Sequence, residues 1–272
     1  MAKEADVVFT LDTTGSMAFA INAMKQVLLD VTTIYLENRV AIRTGLVEFR
    51  DLVDATKRGS FPMDSMNRKF RAIQHHTFED GYFTSNINTF EEAINTLQAK
   101  GGGPDPESSY DAILTAVRQS NWRENAHRVI IHITDAPPNQ PDLECQDADA
   151  LVEGINQFGG LDQIHIICPK EHSELYEPLA MAKACIKQDS FSNCQFWNLD
   201  PGDTEALVEE LRNVTKTSSD DIDGAEVLLD RDDTTRNPIS ENPFDDEEDT
   251  LETFVFDDEP AELDDEFMFD DD

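Results

Sequence analysis

Asp12, Thr14 and Ser16 stand at alternate positions in the run Val7-Val8-Phe9-Thr10-Leu11-Asp12-Thr13-Thr14-Gly15-Ser16-Met17. One carboxylate and two hydroxyls so spaced make a set of hard oxygen donors. That chemistry suits Mg²⁺ or Mn²⁺, and no soft ligand is present to favour zinc. A further carboxylate, Asp135, ends the apolar run Val129-Ile130-Ile131-His132-Ile133-Thr134. A charge at the end of a buried strand is costly unless it is paired, hydrogen-bonded or metal-bound. The simpler reading of the first run is a strand-to-helix turn in which Thr14 or Ser16 caps the helix.

Elements must position these groups. Asp6–Leu11 reads as a buried strand, and Met17 to about Asn38 carries apolar residues at helical spacing. Strands are expected at Val40–Phe49, Phe70–Phe78 (more polar, at an edge), Arg128–Thr134, Ile164–Cys168 and Gln195–Leu199. Helices are expected at Asn88–Lys100 (capped by Asn88 or Thr89), Glu107–Gln119, Cys145–Phe158, Leu175–Lys187 and Thr204–Val214. Strands alternating with helices predict an α/β fold: a doubly wound, mainly parallel sheet with helices on both faces. In such sheets ligands bind at the carboxyl ends of the strands, where Asp12 and Asp135 fall.

The Asp-x-Thr-x-Ser pattern in this setting resembles the metal-ion-dependent adhesion site (MIDAS) of von Willebrand factor type A domains. The family pattern is Asp-x-Ser-x-Ser; Thr14 replaces the first serine and keeps its hydroxyl. The form Leu-Asp-Thr-Thr-Gly-Ser-Met is closer to the intracellular branch than to the integrin branch, and the likeness covers roughly residues 5 to 216. The resemblance implies a ligand from a second loop and an aspartate from a third. Asp135 takes the third place, with Ala136 where the family commonly has glycine.

For the second loop, Gly101-Gly102-Gly103-Pro104-Asp105-Pro106-Glu107 is similar to the Gly-Gly-Gly-Asp-x-Pro-Glu segment of intracellular members such as the alpha-kinase relatives. Asp105 is the first choice of ligand, Glu107 the second and Thr84 a weaker alternative; Glu107 reads first as a first-turn acid favoured by the helix dipole. Three carboxylates, Asp12, Asp105 and Asp135, would strengthen divalent binding and weaken the metal's pull on a partner carboxylate. The implied function is a non-enzymatic, metal-dependent protein-binding adaptor or scaffold.

Charge narrows the partners. Of 57 acidic residues 24 lie from Ser218 onward, against 2 of 21 basic ones, in a chain of 272 residues with net charge −36. Nucleic acid and anionic membrane surfaces are therefore poor partners. Residues 1–217 read as the folded domain and 218–272 as a disordered acidic tail. That tail repeats Phe-Asp-Asp at Phe244, Phe256 and Phe269, a pattern of short linear binding segments. It is expected to hold a second protein partner, or to reach the metal site of its own or another copy and self-associate. Cys145, Cys168, Cys185 and Cys194 form no Cys-x-x-Cys pair and show no zinc pattern, so they read as buried reduced thiols. With no signal peptide or membrane-spanning run, the expected location is cytoplasmic.

Two other functions compete. An acidic-tail chaperone or mimic would cover basic partners without a metal. A Mg²⁺-dependent phosphatase of the haloacid-dehalogenase type needs a second aspartate two positions after the first, where this chain has Thr14. His132 and His165 read as core histidines, and Glu48, Arg50 and Asp51 as residues that orient loops at the strand end.

Overall fold

A computed structural model describes residues 3–50, 72–79, 81–101, 106–187 and 189–231, with side chains as far as 224. They belong to the first of two units, Met1–Asp232; the second, Asp233–Asp272, lies outside the described residues.

The centre of the fold is β1 (Lys3–Asp12), buried without interruption from Ala5 to Asp12. A strand with no solvated face needs neighbours on both edges and cover on both faces. Strands β2 (Val40–Phe49) and β4 (His127–Ile133) flank it in parallel. Beyond β4 come β5 (Gln163–Cys168) and β6 (Asn193–Asn198), also parallel; beyond β2 comes β3 (Ile73–His75), antiparallel. The order is β3-β2-β1-β4-β5-β6. The chain winds one way from β1 to β2 and the other way through β4, so the topological switch falls between β1 and β4.

Alternation sends the side chains of β1 into two cores. Val7, Phe9 and Leu11 pack with α1 (Ala18–Glu37), α2 (Ile87–Thr96) and α5 (Thr204–Arg231). Val8 packs on the opposite face with α3 (Ser109–Gln119) and α4 (Ala148–Gln157). At the amino end of β1, Asp6 is fully buried between two guanidinium groups. Arg43 Nε and Nη2 reach its carboxylate at 2.9 and 2.6 Å, and Arg123 Nε at 2.9 Å.

Several elements depart from the expected bounds. In place of a helix at Leu175–Lys187 there is a 3₁₀ run, Lys170–Met181, with Pro178 inside it; proline has no N–H to donate to a regular α-helix. The final helix continues past Val214 to Arg231, so the expected boundary at 217 falls inside it. Its extension is anchored by Ser218, buried, with its Oγ 2.7 Å from Tyr35 Oη, and by Ile222 in the core. The cap of α2 is Asn86, which accepts from Asn88 N–H at 3.0 Å, rather than Asn88 or Thr89. Asp147 caps α4, which starts three residues later than Cys145. Phe70 and Arg71 of the expected strand Phe70–Phe78 lie outside the described residues; of the rest, Ile73–His75 pairs with β2 in register, as an edge.

Candidate metal site

Asp12 is fully buried at the carboxyl end of β1. Thr14 N–H donates to its Oδ1 at 2.9 Å, and the Thr134 hydroxyl donates to its Oδ2 at 2.9 Å. Burial pushes its pKa from 3.8 up to about 7; those hydrogen bonds pull the other way, and the nearby charge of Asp135 pushes further up. Among the described residues no cation balances an ionised carboxylate here.

The hydroxyls beside it are not spent on helix capping. Thr14 precedes the 3₁₀ turn Gly15–Met17 but makes no side-chain cap bond, and the residue capping α1 is Met17. Thr14 Oγ1 and Ser16 Oγ lie 3.2 Å apart, Thr14 buried and Ser16 exposed. Asp135, half-buried, follows β4 on the next loop. Asp12, Thr14, Ser16 and Asp135 therefore share the carboxyl edge of the sheet at its switch point.

The second loop is held against the first. Gly15 N–H donates to Gly101 O and Lys100 N–H to Thr13 O, both at 3.0 Å. A methyl group on Gly15 would stand 3.3 Å from the Gly101 carbonyl, a tight contact that would press the two loops slightly apart. Asp105 lies outside the described residues. Glu107 is buried but is not a first-turn acid: α3 begins at Ser109, and its first-turn acid is Asp111. Instead the Glu107 peptide bridges to the third loop, donating to Pro137 O at 2.9 Å and accepting from Asn139 N–H at 2.7 Å. Thr84 pairs with Thr44, which neighbours Val7, so it sits well down the sheet from Asp12.

Thr134 was not legible as a participant; its signal is a hydroxyl residue closing an apolar strand immediately before Asp135. Below the Asp12–Thr134 pair lies a second polar rung on the same strands. Thr10 Oγ1 is 2.8 Å from His132 Nδ1, in paired register. His132 is fully buried and stacks on Phe49 at 5.1 Å; burial lowers its pKa to about 3, so it is neutral. His165, lowered to about 4 by burial, accepts from Trp197 Nε1 at 3.3 Å. Both are core histidines. Burial raises all four cysteine thiols above their usual range, and none is in a disulfide.

Glu48 and Arg50 do orient loops. Arg50 Nη2 meets Glu48 Oε2 at 3.0 Å, and Glu48 also receives Thr13 Oγ1 at 3.3 Å. Burial alone would raise the Glu48 pKa; the hydrogen bond from His76, then the charge of Arg50, bring it below the ordinary glutamate value. Asp51 lies outside the described residues.

The donor set fits a hard divalent cation: a buried carboxylate with no ion-pair partner among the described residues, two adjacent hydroxyls and a second carboxylate. Among the described residues no three His, Cys, Asp or Glu side chains gather into a metal cage, so a ligand set drawn from them needs further oxygen donors such as the Thr14 and Ser16 hydroxyls.

No protein-family model matches the chain. It is 28% identical over 134 residues to the alpha-protein kinase vwkA of Dictyostelium discoideum, spanning 48% of this chain and 18% of the kinase. Among solved structures, the PilB minor pilin from Streptococcus sanguinis superposes with TM-score 0.52 at 12% identity, covering 83% of this chain and 63% of its own. Proximal thread matrix protein 1 from the mussel byssus, solved with a zinc-occupied MIDAS motif, gives TM-score 0.50 at 16% identity, covering 80% of this chain and 46% of its own. The chain thus spans under a fifth of the kinase and under two thirds of either structural neighbour. These likenesses show the fold: a doubly wound α/β sheet shared with a protein that carries a MIDAS motif. No helix among the described residues is long and apolar enough to cross a membrane.

Proposed function

We propose that this chain is a non-enzymatic, metal-dependent protein-binding adaptor whose folded domain engages an acidic side chain of a partner through a MIDAS-type Mg²⁺ or Mn²⁺ site. The observation that carries this reading is Asp12: a fully buried carboxylate beside two hydroxyls that do not cap the following helix. Asp12, Thr14, Ser16 and Asp135 are the residues assigned to hold the ion, with Asp105 as the second-loop ligand. The bound cation supplies a Lewis-acid position that a partner carboxylate can complete. The chain's own residues do the rest: Thr14 N–H and Thr134 fix the Asp12 carboxylate, and the Gly15–Gly101 contact sets the first loop against the second.

The likeness to an alpha-protein kinase covers 18% of that protein, and no catalysis is assigned to this chain from it. A cytoplasmic location follows from the same reading. The acidic Phe-Asp-Asp segments are assigned to a second protein contact, and self-association through them is the corresponding oligomer.

Calorimetric titration of Mg²⁺ and Mn²⁺ into the metal-stripped full chain tests the site. One saturable site, abolished by Asp12→Ala, is the expected result. A folded wild-type chain that takes up neither ion would overturn the metal mechanism and leave the acidic tail as the binding element.

A further inference from the structure

The loops that carry the donors must be held by something, and one residue touches most of what holds them. Arg50, 6% exposed, follows directly on β2. Its Nε donates to Lys100 O at 3.1 Å and its Nη2 to Gln98 O at 3.2 Å. Its carbonyl accepts Ser108 N–H at 3.3 Å, and its own N–H donates to Ala72 O at 2.8 Å. Gln98 and Lys100 lie just before the second loop and Ser108 just after it. Through the Glu48 carboxylate Arg50 also reaches Thr13, on the first loop. Through Ser108 it reaches the neighbouring Glu107 peptide, which pairs with Pro137 and Asn139 on the third.

We propose that Arg50 is the positioning residue of the metal site, a buried clasp that fixes both ends of the second loop and, with Glu48, sets cation affinity without touching the ion. This rests on the metal-site reading above. The guanidinium plane is what the role requires. It presents donors in a fixed fork, so one side chain satisfies two carbonyls and a carboxylate that diverge. A lysine keeps the charge but offers one ammonium point, which cannot span Gln98 O, Lys100 O and Glu48 together. Residues that orient metal ligands from behind typically change affinity by about 10- to 100-fold when replaced.

The test compares full-length wild type with Arg50→Lys and Glu48→Gln in two measurements. Amide hydrogen exchange of the metal-free proteins comes first. Arg50→Lys is expected to speed exchange at Lys100, Gly15 and Ser108 by about tenfold or more, with amides of β5 unchanged. Mg²⁺ titration comes second, with affinity expected to fall about tenfold or more in Arg50→Lys and by less in Glu48→Gln. Unchanged exchange at those three amides would overturn the clasp, whatever the metal result. Faster exchange with wild-type Mg²⁺ affinity retained would overturn its role in the site. Faster local exchange in a protein whose wild type binds no Mg²⁺ or Mn²⁺ would also overturn that role, and the failure would then belong to the metal reading. General unfolding is a separate result: β5 amides would then exchange faster too, which contradicts a local clasp.

Discussion

The Thr134 hydroxyl stands 2.9 Å from Asp12 Oδ2, across the parallel pair β1 and β4 at the point where the winding of the sheet reverses. Neither residue has solvent to fall back on. Thr134→Val keeps the shape and removes the donor, leaving a buried carboxylate oxygen short of a partner. Stability of the metal-free protein, read by urea unfolding near neutral pH, is expected to fall by about 1–3 kcal/mol. The same substitution should raise the Asp12 pKa further, since this bond is one of those holding it down.

Asp12 makes stability depend on pH in an unusual direction. Its folded pKa is raised from 3.8 to about 7, so the folded state binds the extra proton. That contribution is fully present below pH 3.8 and is lost as pH rises through 7. Between those limits the loss is at most about 1.4 kcal/mol per pH unit. Asp12→Asn should flatten this part of the profile of the metal-free protein in urea melts between pH 5 and about 8. Wild type should also release close to one proton on taking up Mg²⁺ near pH 6, seen as a buffer-dependent heat, and Asp12→Asn should not.

The buried Asp6 pairs at the amino end of β1 with both Arg43 and Arg123. Arg123 additionally donates to Ala5 O at 2.8 Å and Ala41 O at 3.0 Å, so it staples β1 to β2. Arg123→Ala leaves Asp6 with one guanidinium and two strand carbonyls without that donor. A loss of about 3 kcal/mol in urea is expected. Mg²⁺ affinity should stay at the wild-type value, because this staple lies at the opposite end of the strand from Asp12.

Gly160 has φ +80°, and a Cβ there would press into Lys183 O and stand 3.1 Å from Ala184 C. Both obstacles are backbone and cannot swing aside. Gly160→Ala should cost about 3 kcal/mol, combining left-handed strain with overpacking. Gly202, with φ +86° and nothing within 4 Å of its Cβ position, should lose less on the same change, about 1 kcal/mol. Thermal melts of the two variants side by side separate the steric contribution from the conformational one.

Short-range pattern determined the layers of this protein. The apolar runs ending in Asp12 and Asp135, and the 3.6-residue spacing from Met17 onward, gave the alternation of strand and helix and placed two carboxylates at strand ends. Periodicity reads which face of an element is buried, and that is enough for an α/β sheet. It does not read where a hydrogen-bonded segment stops. A 3₁₀ run containing Pro178 stands where helical spacing continued, and α5 runs past Val214, where Tyr35, distant in sequence, supplies a partner for Ser218. Candidate donors could be named from sequence, but their surroundings could not. That Thr134 bonds Asp12, that Glu107 bridges loops instead of starting a helix, and that Thr84 lies beside Thr44 all depend on which strands become neighbours and in what register. Register is set by the whole core at once, through packing on both faces of β1, so only the tertiary structure could decide it.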